Sequence, residues 1–317
     1  MSTDTPLWVC HGDDPVAPGA ALSLGAQALT LARRGTPALV GRHVRGPSVL
    51  LGARQRAASV VDLAACDAAG ASVFRRASLG PAAYVRDAVW WTLCLPSLGA
   101  LFPDARPETT LNRNVRGFLR GLTRAGVAAS YPGRTCLAVA GAPTLLLGYD
   151  LHADGAVTVD VIAGLDVPVA LPAALQSPAE ATVARWWGRS PAVLDTGRTG
   201  LVGLLEAVAA GVAQTAGRTV APWPDDVLAD PAAGPVVEGD DPVPAGMRRL
   251  GEGTVPIGRV EAWGDGSRVW LGGDVYGRGS DLDRLGAALA AGEALPAEVH
   301  LEGARVEDYA ALVSGRG

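Results

Sequence analysis

The chain has 317 residues with a formal net charge of -5, and 49% of its residues are hydrophobic while 19% are charged. This balance is typical of a chain that buries a core, which excludes a disordered protein, and the lack of a basic run excludes a nucleic-acid binder. No apolar stretch reaches the roughly 18 residues that a bilayer span needs, so we expect no membrane partner.

The start of the chain predicts a strand, a helix and two further strands. Apolar residues recur at helical spacing from Leu22 to Leu31, and the pattern ends at two arginines. PALVGRH and SVLLGA, residues 37–43 and 48–53, are typical of strands. The opening MSTDTPLWVC has no basic segment before an apolar core, so we expect no secretory signal and a cytoplasmic protein.

The middle of the chain alternates helices with a strand meander. Residues 109–125 carry one apolar stripe with arginines on the other face, which predicts a helix that covers a sheet. CLAVAG, TLLLGYDLH and AVTVDVIAG are β-rich runs separated by turn signals, which indicates antiparallel neighbours. A further helix is predicted over residues 199–216.

A stretch rich in Pro, Asp and Gly divides the chain. We expect a large domain over residues 1–220, a linker over 221–246 and a smaller domain over 247–317. In the smaller domain, RVEAWGDGSRVWLGGDVY predicts two strands around a Gly-Asp-Gly turn, and DLDRLGAALAAG predicts a helix. The expected fold class is α+β: a mixed or antiparallel sheet with flanking helices, plus a small α+β C-terminal domain.

The loop FRRASLGPAAY, residues 74–84, is the first candidate site. Two arginines, a serine and a glycine follow a predicted strand. Because arginine offers a planar fork of donors and glycine allows close backbone approach, this loop could hold an anion or an acyl phosphate. A solvated loop is the alternative interpretation of the same residues.

This loop resembles the R-R-x-S-G-G-G motif of the lipoate-protein ligase, octanoyltransferase and biotin-protein ligase superfamily, and the chain looks most like a divergent lipoate-protein ligase A. Other landmarks fall in the family's order, and they extend the resemblance over nearly the whole chain. They are Leu7-Trp8, VLLGARQR with Gly52 and Gln55, LTRAGVAA, GRTCLAV, and GGDVYGRGSDLDRLGAAL in the C-terminal part.

The resemblance implies a biotin/lipoate ligase-like large domain with an accessory domain, and it implies a site. The acyl group is lipoyl, octanoyl or an acyl adenylate, and the implied partner is a lipoyl-type carrier domain. The residues that match the family's binding motifs, or face its missing lysine, are Arg75, Arg76, Ser78, Gly80, Tyr84, Arg134, Thr144 and Gly148.

Several departures from the family pattern bear on catalysis. Lysine and arginine together number 27, and all 27 are arginines, so the chain has no lysine. The resemblance implies that the family's lysine, in a K-x-x-G strand start, contacts the acyl carbonyl and phosphate, and here the corresponding position is about Thr144. Leu79 replaces a loop glycine, and Val85-Arg86 replaces the family's His-Asp. A neutral hydroxyl cannot supply the charge of an ammonium, so ATP use is in doubt.

A cysteine nucleophile would permit acyl transfer without ATP, and Cys136 is the candidate because it is the cysteine nearest the GR motif. If Ala142-Pro143 is a two-residue turn, Cys136 pairs with Tyr149. His152 then lies on the opposite face of the hairpin and cannot act as its base. A small buried thiol in a strand is the alternative interpretation. The four cysteines form no C-x-x-C pair, and His11, His43 and His300 are isolated, so no metal site is predicted.

Two functions remain open from the sequence. The first is a divergent lipoate ligase or octanoyltransferase that binds an acyl group and a carrier domain. The second is a catalytically inactive homologue, a pseudoenzyme, that uses the same surface as a carrier-binding, regulatory or complex-forming subunit beside an active ligase. Fold resemblance alone does not decide between them.

Overall fold

The computed structural model describes residues 5–133, 135–183, 189–224 and 241–315. The helices of these residues are α1 (Pro18–Arg33), α2 (Ala57–Val60), α3 (Leu63–Ala68), α4 (Pro107–Arg124), α5 (Gly200–Thr215), α6 (Gly279–Ala291) and α7 (Val306–Val313). The strands are β1 (Leu7–Val16), β2 (Ala38–Leu51), β3 (Ser72–Arg75), β4 (Ala83–Leu95), β5 (Ala129–Ser130), β6 (Cys136–Val139), β7 (Ala142–Leu151), β8 (Val157–Gly164), β9 (Val220–Pro222), β10 (Arg248–Val255), β11 (Gly258–Gly264), β12 (Val269–Gly273), β13 (Tyr276–Gly277) and β14 (Leu301–Glu302).

One mixed sheet organises the fold, as the expected α+β class requires. Its path through the described strands runs β14-β13-β7-β8-β4-β2-β1-β9, with β3 beside β2 and β6 beside β7. Pairs β1·β2, β1·β9, β2·β3 and β7·β13 are parallel, while β2·β4, β4·β8 and β7·β8 are antiparallel. The predicted meander of the middle strands is therefore confirmed.

The two faces of this sheet are covered by different helices. Helices α4 and α5 pack on one face, where Phe118 and Val208 join the core with Trp91 and Val161 of the sheet. Helix α1 lies over the other face, against β2 and β4. Successive side chains of a strand point to opposite faces. Trp90 and Thr92 therefore face the α1 side while Trp91 faces α4 and α5.

The strand after α1 differs from the prediction. PALVGRH and SVLLGA belong to one strand, β2, whose pairing with β4 shifts between Arg45 and Ser48. Gly46 and Pro47 occupy that irregularity, and Gly46 has a φ of 129°. Glycine and proline are common in turns, and here they mark a bulge within a strand, because a bulge uses the same backbone freedom as a turn.

The hairpin of β6 and β7 also differs from the predicted register. Its turn is formed by Ala140 and Gly141, with φ values of 49° and 79°, and not by Ala142-Pro143. Positive φ at both central residues matches the right-handed twist of the strands that a two-residue turn joins. Together with a shift between Leu137 and Ala138, this turn pairs Cys136 with Leu146 rather than with Tyr149.

The C-terminal segment, residues 241–315, contributes to two sheets. Strands β10, β11 and β12 form an antiparallel sheet, and α6 and α7 pack on it around Leu271 and Tyr309. Strands β13 and β14 extend the main sheet beyond β7. The predicted strands around Gly-Asp-Gly and the helix after them are confirmed as the hairpin β11·β12 and as α6.

The predicted linker, residues 221–246, is only partly described. Residues 225–240 lie outside the described residues. Ala221 and Pro222 at its start belong to β9, which pairs in parallel with β1. A segment that contains proline is not an obvious strand from its sequence, but it can still form main-chain hydrogen bonds at the edge of a sheet.

Two searches of the described residues gave negative results. None of their helices is long and apolar enough to cross a membrane. They also contain no group of three or more His, Cys, Asp or Glu side chains that could hold a metal ion.

Candidate functional site

The loop after β3, residues 76–82, is pinned over the sheet by backbone hydrogen bonds. The Arg76 amide donates to Leu51 O at 2.8 Å, and the Ala53 amide donates to Ser78 O at 2.9 Å. Leu79 exchanges two hydrogen bonds with Tyr149 of β7, at 3.2 and 3.1 Å. The loop is therefore fixed to β2 at one end and to β7 at its centre.

The side chain of Arg76 is buried in this loop, with 1% of its surface exposed. One guanidinium nitrogen, Nη2, donates to Pro81 O at 2.7 Å. Among the described residues, Nε and Nη1 have no hydrogen-bond partner. Burial lowers the pKa of Arg76, and the charges of Asp160, Tyr276 and Asp274 oppose that shift. Because arginine stays protonated in proteins, a buried cation here presents unused donors.

The main anion beside this loop is Asp160 of β8, which is 2% exposed. Its carboxylate accepts hydrogen bonds from Trp90 Nε1 at 2.9 Å, from Thr92 Oγ1 at 2.6 Å, and from the Ser78 hydroxyl. Three donors fill most of the acceptor positions of one carboxylate. Asp160 thus ties the loop, β4 and β8 into one polar network.

A cavity of about 260 Å³ opens between α1 and this network. Leu22, Gly25 and Ala26 of α1 form its apolar side. The facing wall consists of Arg75, Arg76, Ala77, Trp90, Thr92, Thr158 and Asp160. The arrangement combines an apolar wall with a few converging polar groups, as small-molecule sites do.

Gly148 of β7 has no side chain, and the space beside it is occupied by Ser78 and Arg76. A Cβ built on Gly148 would overlap the Ser78 hydroxyl and would lie 2.5 Å from Arg76 Nη1. Gly80 is required for a different reason, because its φ is 117° and an added Cβ would lie 2.7 Å from Tyr276. Of the residues predicted from the sequence, Arg76, Ser78, Gly80 and Gly148 are therefore brought together.

The other predicted residues lie in different surroundings. Arg75 lines the cavity, and its Nη1 donates to Gly52 O at 3.1 Å and also to Gln55 O. Tyr84 packs against a separate apolar cluster around Val49. Thr144 is buried, and its hydroxyl donates to Ala142 O at 2.9 Å. It lies four residues before Gly148, about 13 Å along the strand.

The candidate nucleophile Cys136 does not line the cavity and is completely buried. It pairs with Leu146, so His152 lies six residues beyond its partner, just past the end of β7 and about 20 Å away. The expectation that these two side chains do not meet holds, although the register behind it was wrong. Arg134 lies outside the described residues.

Sequence reasoning missed most of the cavity wall. Asp160 is the one charged residue in the run VTVDVIAG, and a carboxylate in a strand buried on both faces signals a specific partner. Trp90, Thr92 and Thr158 carry no comparable signal. They are found only when β4 and β8 are paired in the correct register.

Comparisons with known proteins bear on the fold. No family model and no curated protein matches the chain. Among solved structures, P. falciparum LipL1 in complex with lipoate has a TM-score of 0.56 and 13% identity, over 81% of this chain and 80% of that chain. The bipartite lipoate-protein ligase of Thermoplasma acidophilum, described with its E2 lipoyl domain, has a TM-score of 0.53 and 14% identity over 71% and 89%. Lipoate-protein ligase A bound with ATP has a TM-score of 0.52 and 14% identity over 70% and 91%.

The chain has the lipoate-protein ligase fold. The ligase-like fold that the resemblance implied and the fold class predicted from the sequence are confirmed. At 13–14% identity the likeness concerns the fold, and the chemistry has to be argued from the residues of this chain.

A second cavity of about 250 Å³ in this lipoate-protein ligase fold lies between α4 and the C-terminal segment. Tyr131, Ile257, Tyr276 and Glu302 are among the residues that line it. Burial raises the pKa of Glu302 to about 7, and the nearby Glu108 carboxylate adds to the shift. This cavity offers a carboxyl group and two phenols, and it shares none of the donors of Arg76.

Two titratable residues of this chain, Asp150 and His152, lie beside the first cavity. Burial raises the pKa of Asp150 to about 7, against the opposing effects of the Gly279 amide and of Arg54. Burial also lowers the pKa of His152. Asp150 Oδ2 and His152 Nδ1 are 3.2 Å apart. Burial therefore shifts both partners of this contact towards their neutral forms.

The raised pKa of Asp150 predicts a pH dependence of stability. Asp150 keeps its proton in the folded state up to about pH 7 and loses it near pH 4 when unfolded. The folded state therefore binds more protons between about pH 4 and 7, and stability falls as the pH rises through that window. We expect Asp150→Asn to match the parent at pH 4 and to be more stable at pH 8 by about 4 kcal/mol in urea unfolding.

The matched control for this prediction is Asp67→Asn on the exposed surface of α3, which should leave the pH profile of the parent unchanged. A stability difference between Asp150→Asn and the parent that is the same at pH 4 and pH 8 would contradict the raised pKa.

Proposed function

We propose that the chain binds a small carboxylic acid, or the acyl group made from it, in the cavity between α1 and the sheet. The observation that carries this proposal is the Arg76 guanidinium, which is buried on the cavity wall while its Nε and Nη1 have no partner among the described residues. Buried donors without acceptors are costly, so an acceptor oxygen of a ligand would stabilise them. A carboxylate or acyl carbonyl supplies such an oxygen.

The size and walls of the cavity support an acid of modest length. Its volume of about 260 Å³ lies just below the ~300–1,000 Å³ that small-molecule pockets span. An acyl chain would lie along Leu22 and Ala26 of α1 and against the Trp90 indole. A nucleotide attached to the acyl group would extend outside this volume. Lipoate and octanoate are the acids of this size that the resemblance implies.

The proposed macromolecular partner is a lipoyl-type carrier domain. The T. acidophilum ligase with the same fold is described with its E2 lipoyl domain. The net charge of this chain is -5. Its 27 basic residues are all arginines. The protein therefore offers no lysine of its own that could compete with a carrier lysine for the acyl group. Transfer to a carrier would leave the protein unmodified.

An inactive binding subunit is the second candidate. Thr144, which faces the position of the missing family lysine, is buried and bonded to Ala142 O, so it offers no charge to an acyl phosphate. ATP-dependent activation lacks its usual cation in this chain. A homologue of this kind would hold a carrier domain, or would regulate or complete an active ligase.

Isothermal titration with lipoate and octanoate tests the binding proposal. We expect both acids to bind the parent and Arg76→Met to weaken binding at least 10-fold, because charge-assisted hydrogen bonds are worth about 1.5–3 kcal/mol. Arg116→Met, on the exposed face of α4, is the matched control and should bind like the parent. Ala26→Trp at the exposed edge of the cavity should also abolish binding without loss of stability.

Absence of binding by the parent, or equal binding by the parent, Arg76→Met and Ala26→Trp, would refute the proposal. Intact mass of a lipoyl domain then separates the two candidates. An acylated carrier after incubation with this protein and an acyl donor supports the enzyme. Carrier binding in a pull-down without acylation by any donor supports the inactive subunit.

A further inference from the structure

His152 has a hydroxyl partner that the sequence did not suggest. Its Nε2 lies 2.8 Å from Thr158 Oγ1, and its Nδ1 lies 3.2 Å from Asp150 Oδ2. The other oxygen of Asp150 accepts a hydrogen bond from the Gly279 amide at the start of α6, at 3.0 Å. A carboxylate, an imidazole and a hydroxyl are therefore connected in one chain of contacts.

The hydroxyl group in this series of contacts lies on the cavity wall. Thr158 lines the cavity together with Asp160, two residues further along the same face of β8. Across the ladders, Thr158 pairs with Asp150 of β7 and with Cys94 of β4. The cavity is thus bordered by a hydroxyl whose neighbour is an imidazole oriented by a third group, which is the geometry of an activated nucleophile.

We propose that Thr158 accepts the acyl group as a covalent ester, with His152 as its general base and Asp150 as the residue that positions the imidazole. This inference rests on the proposed binding of an acyl group in the same cavity. It gives the chain an acyl-transfer chemistry that needs neither a lysine nor ATP.

The acyl donor that balances the reaction is a thioester. The Thr158 oxygen attacks the thioester carbonyl carbon, and the hydroxyl proton passes to His152 Nε2. An O–C bond forms and the C–S bond breaks. The thiolate takes the proton from His152 and leaves as a thiol. In the second step, the amine of a carrier lysine attacks the ester. An amide bond forms, the ester bond breaks, and the amine's proton returns to the Thr158 oxygen through His152.

The nearby thiols are less suited to this role. Cys94 Sγ is 3.9 Å from Thr158 Oγ1, but burial raises the pKa of Cys94 far above its ordinary value, and the Asp160 charge adds to the shift. A thiol that stays protonated is a poor nucleophile. Among the described residues, no imidazole is hydrogen-bonded to Cys94 Sγ, whereas His152 Nε2 lies 2.8 Å from Thr158 Oγ1.

Intact mass after incubation with octanoyl-N-acetylcysteamine, a simple thioester, tests the proposal. We expect one octanoyl adduct on the parent, mapped to Thr158 by peptide mass spectrometry and released by hydroxylamine. Thr158→Val should form no adduct, while Thr158→Ser should restore it. Thr110→Val, a buried threonine in α4, is the matched control and should react like the parent. His152→Gln should slow the adduct by about 10²–10⁴-fold.

The role of Asp150 needs its own measurement. We expect Asp150→Asn to lower the rate constant of adduct formation at least 10-fold while the KM for the thioester stays within two-fold, because a positioning residue acts on the base and not on binding. An adduct that persists in Thr158→Val, maps to another residue, or never forms on the parent would overturn the proposal. Binding of octanoate by Thr158→Val in titration separates that failure from a failure of the proposed function.

Discussion

Replacing Asp160 with alanine is expected to lower the free energy of unfolding by about 3–5 kcal/mol, because one substitution removes the acceptor of three buried donors. Ser78, Trp90 and Thr92 all donate to this carboxylate. The buried charge of Arg76 would also lose the anion that most favours its charged form. Urea unfolding followed by tryptophan fluorescence measures the change.

Two further variants calibrate the effect of Asp160. Asp160→Asn keeps an acceptor oxygen of similar shape and should cost about half as much as the alanine variant. Asp67→Ala on the exposed surface of α3 should change the free energy of unfolding by at most about 0.5 kcal/mol. If Asp160→Ala costs no more than Asp67→Ala, the network around Asp160 does not hold the loop to the sheet.

Gly148→Val is expected to lower the free energy of unfolding by about 3 kcal/mol and to abolish binding of acids. The new side chain would occupy the space of the Ser78 hydroxyl and of Arg76 Nη1. Overpacking of a buried site costs about 1–3 kcal/mol, and loss of a hydrogen bond to a carboxylate adds a comparable amount. Displacement of Arg76 would remove the donors that the proposed ligand needs.

The matched control is Gly99→Ala, where an added Cβ would meet only ordinary contacts, the nearest of them at 3.8 Å. It should bind acids like the parent and unfold within about 0.5 kcal/mol of it. Titration and urea unfolding on the same samples separate the two effects of Gly148→Val. Normal acid affinity in that variant would contradict the place of Gly148 behind the cavity wall.

The helices of the fold were predictable because their signals are local. The stripe that includes Leu111, Val115 and Phe118 recurs at helical spacing, and the structure buries all three residues in α4. The continuity of β2 was not predictable. Gly46 and Pro47 are as typical of a turn as of a bulge, and only the pairing of both halves with β4 decides between the two.

The register of the β6·β7 hairpin shows the limit of turn signals. Pro143 suggested a turn, yet the turn is made by Ala140, an alanine with a φ of 49°, and by Gly141. A left-handed alanine is rare because its Cβ is crowded there, so no sequence rule would select it. The error moved the predicted partner of Cys136 from the observed Leu146 to Tyr149.

The candidate site was predictable only in its local part. The loop motif named Arg76, Ser78 and Gly80 because they are neighbours in sequence. Asp160 lies 82 residues beyond Ser78, and the α1 side of the cavity is likewise distant in sequence from Trp90 and Asp160. Contacts of that separation depend on the pairing of the whole sheet, which a single sequence does not encode in any local pattern.

A crystal structure of the protein with lipoate bound tests the central claim most directly. The account predicts density for the acid between α1 and β8, with a carboxylate oxygen at about 2.7–3.0 Å from Nε or Nη1 of Arg76 and the chain along Leu22 and Trp90. Density for the acid in the cavity beside Tyr131 and Glu302, with the cavity under α1 holding only water, would contradict it.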